Sequence, residues 1–259
     1  MLIWLSMSEK IAIIPIEGAI FGEKSILFLP IDFSDKISRL KRYISKAADD
    51  KDVKGIVFEI DSPGGSPYYS KELTREIKEV KKPKVARIEE NCLSGAYWIA
   101  SSCDKIVCDE LSRVGGIGVA GIRVDLSDFM KKFGIQVDTS VTGRFKDLGM
   151  PFKPFGMEEK EIIDEELNLI NDLFLNEIVK SRNIDKDRLK EIKDGKYFLG
   201  LKAKEIGLVD YIGGRKEAID ICKKLAGIDG DVEIEDYRKE MEEESFKGIG
   251  DIFKMFFDR

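Results

Sequence analysis

Ser94 sits in the stretch NCLSGAYWIA, residues 91–100, between an apolar residue and a glycine, ahead of a helix-like run. A serine at such a strand-to-helix junction has two uses. It caps the helix through its hydroxyl, or it attacks an electrophile. The second use gains from the helix dipole, which favours developing negative charge. It gains also from the Gly95 N–H, which points where the oxygen of a tetrahedral intermediate would sit. Upstream, DSPGG (61–65) follows an apolar run. Gly64 and Gly65 permit φ > 0 and close approach of backbone to a ligand. The pair is either a plain strand-to-helix turn or a place where consecutive N–H groups receive an oxyanion. A serine nucleophile needs a base, and the chain contains no histidine among its 259 residues. That removes a Ser-His-Asp triad and leaves Ser-Lys as the known variant. A lysine serves only when neutral. Work near pH 7 asks its pKa to fall by about 3 units from about 10.4, or about 4 kcal/mol of bias against the charged form. Burial supplies that bias, so the base belongs in a dry, covered place. Composition does not say which lysine it is.

Groups of this kind need a rigid frame. KIAIIPIEGAI (10–20), VKGIVFEI (53–60) and KVARIE (84–89) read as buried strands. Residues 33–50 and 68–80 read as amphipathic helices between them. Further strands are expected at 105–110, 116–126 and 135–141, with a short helix at 127–133. Alternation of strand and helix implies an α/β fold with a largely parallel sheet. A long helix follows over 158–182, with Ile162, Ile163, Leu167, Ile170, Leu173, Phe174 and Ile178 on one stripe. Residues 201–227 read as helix, short strand, turn and helix. The simplest organisation is a stub (1–10), one domain (11–230) and a tail (231–259). The tail is charged to 245, read as loose or as a solvated helix, and then apolar. Phe246, Ile249, Ile252, Phe253 and Phe256 recur there at helical spacing. That spacing suits docking on a neighbouring protomer or contact with a membrane surface.

Charged residues make up 36% of the chain and the net charge is −6, without a basic cluster interleaved with aromatics. This argues against nucleic-acid binding. Cys92, Cys103, Cys108 and Cys222 fit no common zinc spacing and read as reduced, buried thiols. Nothing in the sequence asks for a metal or cofactor. The apolar N-terminus MLIWLSM covers seven residues, whereas a spanning helix needs about 20. As it stands the chain reads as cytoplasmic or peripheral to a membrane. It reads as anchored if the true start lies upstream.

Six stretches occur in the order seen in the signal peptide peptidase A family: PIEGAI (15–20), KGIVFEIDSPGGSPYYSKEL (54–73), NCLSGAYWIASSCDKIVC (91–108), VGGIGV (114–119), GRFKDLGMPF (143–152) and GLKAKEIGLVDYIGG (200–214). The chain resembles that family over roughly 11–227, at the length of its half-size members. The resemblance implies a ClpP/crotonase-type α/β fold and serine endopeptidase activity through a Ser-Lys dyad. It matches Ser94 to the nucleophile, Lys146 to the general base, and Gly65 and Gly95 to the oxyanion-hole region. It further implies apolar peptide substrates, such as signal-peptide remnants or membrane-protein fragments. It implies a homo-oligomeric ring in which Ser and Lys meet across a protomer boundary. The chain departs from the family at Gly116, where a serine associated with the dyad lysine is usual, and in lacking a full-length anchor. The Gly116 departure favours the rival reading, a non-catalytic oligomeric scaffold of the same fold binding membrane-protein segments. Acyl-CoA chemistry on this fold finds no support in the sequence beyond the fold.

Overall fold

Isoleucine-rich KIAIIPIE forms β1 (Lys10–Glu17), with six of its eight side chains buried. A run apolar on both faces suits a strand inside a parallel sheet. The computed structural model describes residues 9–22, 24–26, 29–31 and 34–244. A short antiparallel pair, β2 (Lys24–Ile26) and β3 (Leu29–Ile31), precedes α1 (Ser34–Asp49). Then come β4 (Val53–Ser62), α2 (Pro67–Glu79), β5 (Lys84–Leu93), α3 (Gly95–Ala100), β6 (Lys105–Cys108) and β7 (Arg113–Gly115). The chain continues through α4 (Ser127–Lys132), α5 (Met157–Arg182), α6 (Lys186–Ile192), β8 (Tyr197–Leu199) and α7 (Gly200–Glu205). It closes with β9 (Tyr211–Ile212), α8 (Arg215–Ala226) and β10 (Glu233–Asp236).

The main sheet runs β10-β1-β4-β5-β6-β9, and all of these pairs are parallel. β7 joins the far end of β5, and β8 lies antiparallel on β7. One face is sealed by α8, whose Ala218 and Cys222 pack with Ile11, Ile13, Val57, Val85 and Val107. The alternate side chains Ile14, Phe58 and Ala86 are equally buried. On that side α1 lies against β1 and β4, and α3 against β4 and β5. The sheet therefore delivers the C-terminal ends of β4 and β5, with their following turns, side by side.

The chain divides into two compact units. The first holds residues up to 117 and from 177 onward, and the second holds 118–176. Within the second unit Arg123 donates to the carbonyls of Met150 (2.7 Å) and Lys153. Lys153 there pairs with Asp147 at 2.7 Å and Glu159 at 2.6 Å. The strands expected over 116–126 and 135–141 are not formed: beyond β7 these residues carry no regular pairing. The β-like composition is present, but strands need partners, and past the buried Ile117 several apolar side chains face solvent instead. Ile122 is 92% exposed and Val124 61%.

The charged stretch from 231 departs from expectation in its first part and meets it, as a helix, in its second. Its first part is β10, the edge strand beside β1, and residues 238–244 are helical. A buried carboxylate accounts for this. Glu59 on β4 is 2% exposed and needs cations nearby. Arg238 donates to it at 2.8 Å and Arg215 Nε stands 3.2 Å away. Burial pushes the Glu59 carboxyl upward, against the pull of Arg215 and Arg87. Residues 1–8 of the stub and 246–257 of the apolar tail lie outside the described residues.

Candidate active site

The turn after β4 is built so tightly that only glycine fits. Gly64 has φ 90°, a conformation that an L side chain resists. Its carbonyl accepts from the Ile20 N–H at 2.9 Å, and the Ser66 N–H donates to the Ile20 carbonyl at 2.7 Å. A methyl on Gly65 would stand 2.1 Å from that same Ile20 oxygen. In this bridge the Gly65 N–H takes no part, so it stays available at the surface of the turn.

β5 hands over to α3 through Ser94, whose backbone lies at φ 52°, ψ −125°. Positive φ on a non-glycine residue costs about 1–3 kcal/mol and persists where the surroundings enforce it. Here the Ser94 N–H donates to the Gly115 carbonyl at 2.8 Å, and the Ser94 carbonyl accepts from the Trp98 N–H at 3.1 Å. The capping alternative fails: no side-chain hydrogen bond caps α3. A half-buried serine on a strained strand-to-helix turn, its hydroxyl not engaged in a cap, has the form of a nucleophile elbow.

The two turns are pressed together. A methyl on Gly64 would lie 2.8 Å from the Gly95 nitrogen and 2.9 Å from Ser94 Cβ. A methyl on Gly95 would meet Ser70 Oγ at 2.1 Å and stand 3.6 Å from the Gly65 nitrogen. Gly95 opens α3, where the first N–H groups have no partner in the helix. The structure thus brings Ser94, Gly65 and Gly95 into one cluster, with two donors beside the hydroxyl-bearing carbon. Ser70 is not singled out by the sequence, because nothing in its spacing on α2 tells it from an ordinary helix serine. It is fully buried, and its hydroxyl donates to the Ser66 carbonyl at 2.9 Å.

Lys146 falls elsewhere, in the second unit. It is exposed in a turn, with its N–H donating to the Gly143 carbonyl at 3.2 Å. A different lysine has a depressed amine. Lys36 is pushed down to about 8 by burial, with Arg39 adding to the effect. Its Nζ donates to the carbonyls of Glu17 and, at 2.8 Å, Ala19. Gly116, where a serine was the expected residue, has φ 59° and donates its N–H to the Lys196 carbonyl at 3.0 Å. The four cysteines are buried, and burial raises the thiols of Cys108 and Cys222 to about 12. They are not poised as nucleophiles.

The family model for peptidase family S49 matches residues 76–229, more than half the chain and including the Ser94 turn. The chain belongs to peptidase family S49. A protein of Methanocaldococcus jannaschii is 36% identical over 219 residues, 78% of this chain and 69% of its own length. The chloroplastic serine protease SPPA of Arabidopsis thaliana is 31% identical over 85% of this chain. This S49 chain spans only 33% of that relative's length. Among solved structures, the 1510-N membrane-bound stomatin-specific protease in complex with a substrate peptide aligns at TM-score 0.55. It covers 88% of this chain and 92% of its own, with 14% identity. ClpP1 of Listeria monocytogenes aligns at TM-score 0.52 over 80% of this chain and 94% of its own, also with 14% identity. These two likenesses establish the fold, which is that of Clp-type serine proteases. The S49 chain is a serine-type peptidase. Among the described residues no helix is long and apolar enough to cross a membrane.

Proposed function

We propose that this chain is a serine endopeptidase in which Ser94 is the nucleophile and Lys146 the general base. The observation that carries the reading is the strained, uncapped Ser94 held against the Gly65 and Gly95 N–H groups. The Ser94 hydroxyl gives its proton to neutral Lys146 Nζ as its oxygen bonds to the scissile carbonyl carbon. The two glycine N–H groups hold the resulting oxyanion. Collapse breaks the C–N bond, the leaving amine takes the proton from Lys146, and water then hydrolyses the acyl-enzyme.

Lys146 is exposed in the single chain, which does not suit a neutral amine. A second copy supplies the missing cover. Residues 118–176 expose Ile122, Phe129, Phe133, Ile135 and Val137, a concentration typical of interaction surfaces. The reading is therefore a homo-oligomeric ring in which the lysine of one protomer serves the serine of the next. Its substrates are short apolar peptides, such as signal-peptide remnants or fragments of membrane proteins.

The test combines variants with mixing. Ser94→Ala and Lys146→Ala should each abolish turnover, and Lys146→Arg should fail too, because arginine stays protonated. Mixing the two inactive alanine chains should restore activity to about a quarter of wild type, the share of boundaries that pair an intact serine with an intact lysine in a random closed ring. Subunit exchange is followed by mass spectrometry. Near-wild-type turnover by Lys146→Ala removes the lysine. No recovery on mixing with exchange demonstrated places the dyad within one chain. An intact assembly that neither turns over peptides nor reacts with a fluorophosphonate favours the scaffold reading, to which Gly116 lends support.

A further inference from the structure

The pairing of β4 with β5 slips just before the site. Ile60 pairs with Ile88, but the next pair is Ser62 with Cys92. β5 therefore places Glu89, Glu90 and Asn91 opposite the single residue Asp61, a bulge in the nucleophile's own strand. At the same point β5 changes neighbours, leaving β6 after Cys108 and taking up β7 from Arg113. A bulge interrupts the ladder and frees backbone groups that need other partners. The Asp61 carboxylate meets that need. Its Oδ1 accepts from the Asn91 N–H at 3.0 Å and from Asn91 Nδ2 at 3.3 Å. Asn91 lies three residues ahead of Ser94.

The adjacent side chain acts on the other turn. Ser62 is fully buried. Its hydroxyl donates to the Gly18 carbonyl at 2.7 Å and accepts from the Gly64 N–H at 3.1 Å. The Asp61 carbonyl accepts from the Gly18 N–H at 2.8 Å. Two consecutive residues at the end of β4 thus hold two structures. Asp61 holds the bulged strand that leads to Ser94, and Ser62 holds the glycine turn that leads to the Gly65 N–H.

We propose that Asp61 and Ser62 are positioning residues that together set the separation between the nucleophile and the oxyanion donors. The inference rests on the reading of Ser94 as nucleophile and of the Gly65 turn as part of the oxyanion hole. Both residues act at a distance from the substrate, so their loss slows the chemical step and leaves peptide binding largely in place.

The experiment measures kcat, KM, fluorophosphonate labelling rate, peptide-aldehyde affinity and thermal melting on the assembled protein. The variants are Asp61→Ala, Asp61→Asn and Ser62→Ala, with Ser94→Ala as reference. Asp61→Ala should lower kcat by about 10- to 100-fold, the scale of a lost hydrogen bond to a charged acceptor, with KM moving less than about threefold. Asp61→Asn keeps an oxygen acceptor but loses the charge, and should recover only part of that loss, leaving kcat about 3- to 10-fold below wild type. Ser62→Ala should weaken aldehyde binding, whose adduct carries the oxyanion, in step with its fall in kcat. A lower melting temperature with unchanged kcat in folded Asp61→Ala overturns the proposal and leaves a purely structural bulge. If Asp61→Ala does not fold, Asp61→Asn decides: a fall in kcat of about 3- to 10-fold at steady KM supports it, and unchanged kcat overturns it. Retained turnover in Ser94→Ala is a separate result that removes the underlying reading instead.

Discussion

The Ser94 cluster and residues 118–176 are opposites in construction. Around Ser94 every turn is over-determined. Backbone groups are paired at 2.7–3.1 Å, and three glycines stand where a methyl would come within 3 Å of a neighbour. The 118–176 unit has ion pairs at Lys153 and ring contacts such as Phe129 with Phe133, yet leaves large apolar side chains in water. Phe129 is 58% exposed and Phe133 62%. The difference is instructive because the proposed reaction needs one group from each. A nucleophile and its oxyanion donors must be rigid to about half an ångström, so they belong in the core of one chain. A lysine base must be dry, and a loop unit dries it by being covered.

The contrast is most severely broken by Gly65→Ala. The added methyl would press on a backbone oxygen that cannot swing aside, and the Gly65 N–H would move from its place. Loss of one oxyanion donor lowers kcat by about 10²- to 10³-fold. Peptidase assays with melting curves check this: near-normal turnover in a folded Gly65→Ala would show that the turn holds no oxyanion.

A smaller but sharper effect is expected in the second unit. Ile122→Asp with Phe133→Asp places charges where apolar side chains are now exposed. Each substitution should cost the isolated fold less than about 0.5 kcal/mol, as exposed changes do. The proposed oligomer, followed by sedimentation, should dissociate, and activity should fall with it. Assembly and turnover both unchanged would mean that this face meets no second copy.

The smallest effect is expected at Gly116→Ser. A hydroxyl here was expected to steady the lysine, but Gly116 lies at φ 59° and a side chain would stand 3.4 Å from the Ser94 nitrogen. Serine in that conformation costs about 1–2 kcal/mol, comparable to the roughly 0.5–1.5 kcal/mol gained from one good hydrogen bond. Melting should fall by a few degrees while turnover changes less than about threefold. A tenfold gain at unchanged melting would show that the turn relaxes and that orientation of the base limits the rate.

Much of the first unit was readable in advance because its strands are apolar runs of β-branched residues bounded by glycine or charge, and buried parallel strands need little else. The DSPGG turn and the Ser94 junction were readable for the same reason, since special backbone demands special residues. The misread segments share a different property. GIGVAGIRVDL and IQVDTSV have the composition of strands, but pairing is a property of two segments, and among the described residues no strand pairs with them. The first part of the charged stretch after 230 was misread in the opposite sense, whereas its helix over 238–244 is one of the two forms expected. Its polarity suggested solvent, yet Arg238 is drawn to a carboxylate buried on a strand that lies 179 positions earlier.

The amino-acid sequence by itself determined the frame of parallel strands, the absence of any histidine base, and the residue types at the serine and glycine turns. Those features are local, set by side-chain volume, backbone freedom and hydrophobic periodicity. Only the tertiary structure decided that Ser94 leaves its hydroxyl out of a helix cap, that Asp61 spans a bulge ahead of it, and that Lys146 belongs to a separate unit. Those depend on which distant residues meet, because a hydrogen bond or a steric contact exists only when both of its partners have been brought into place.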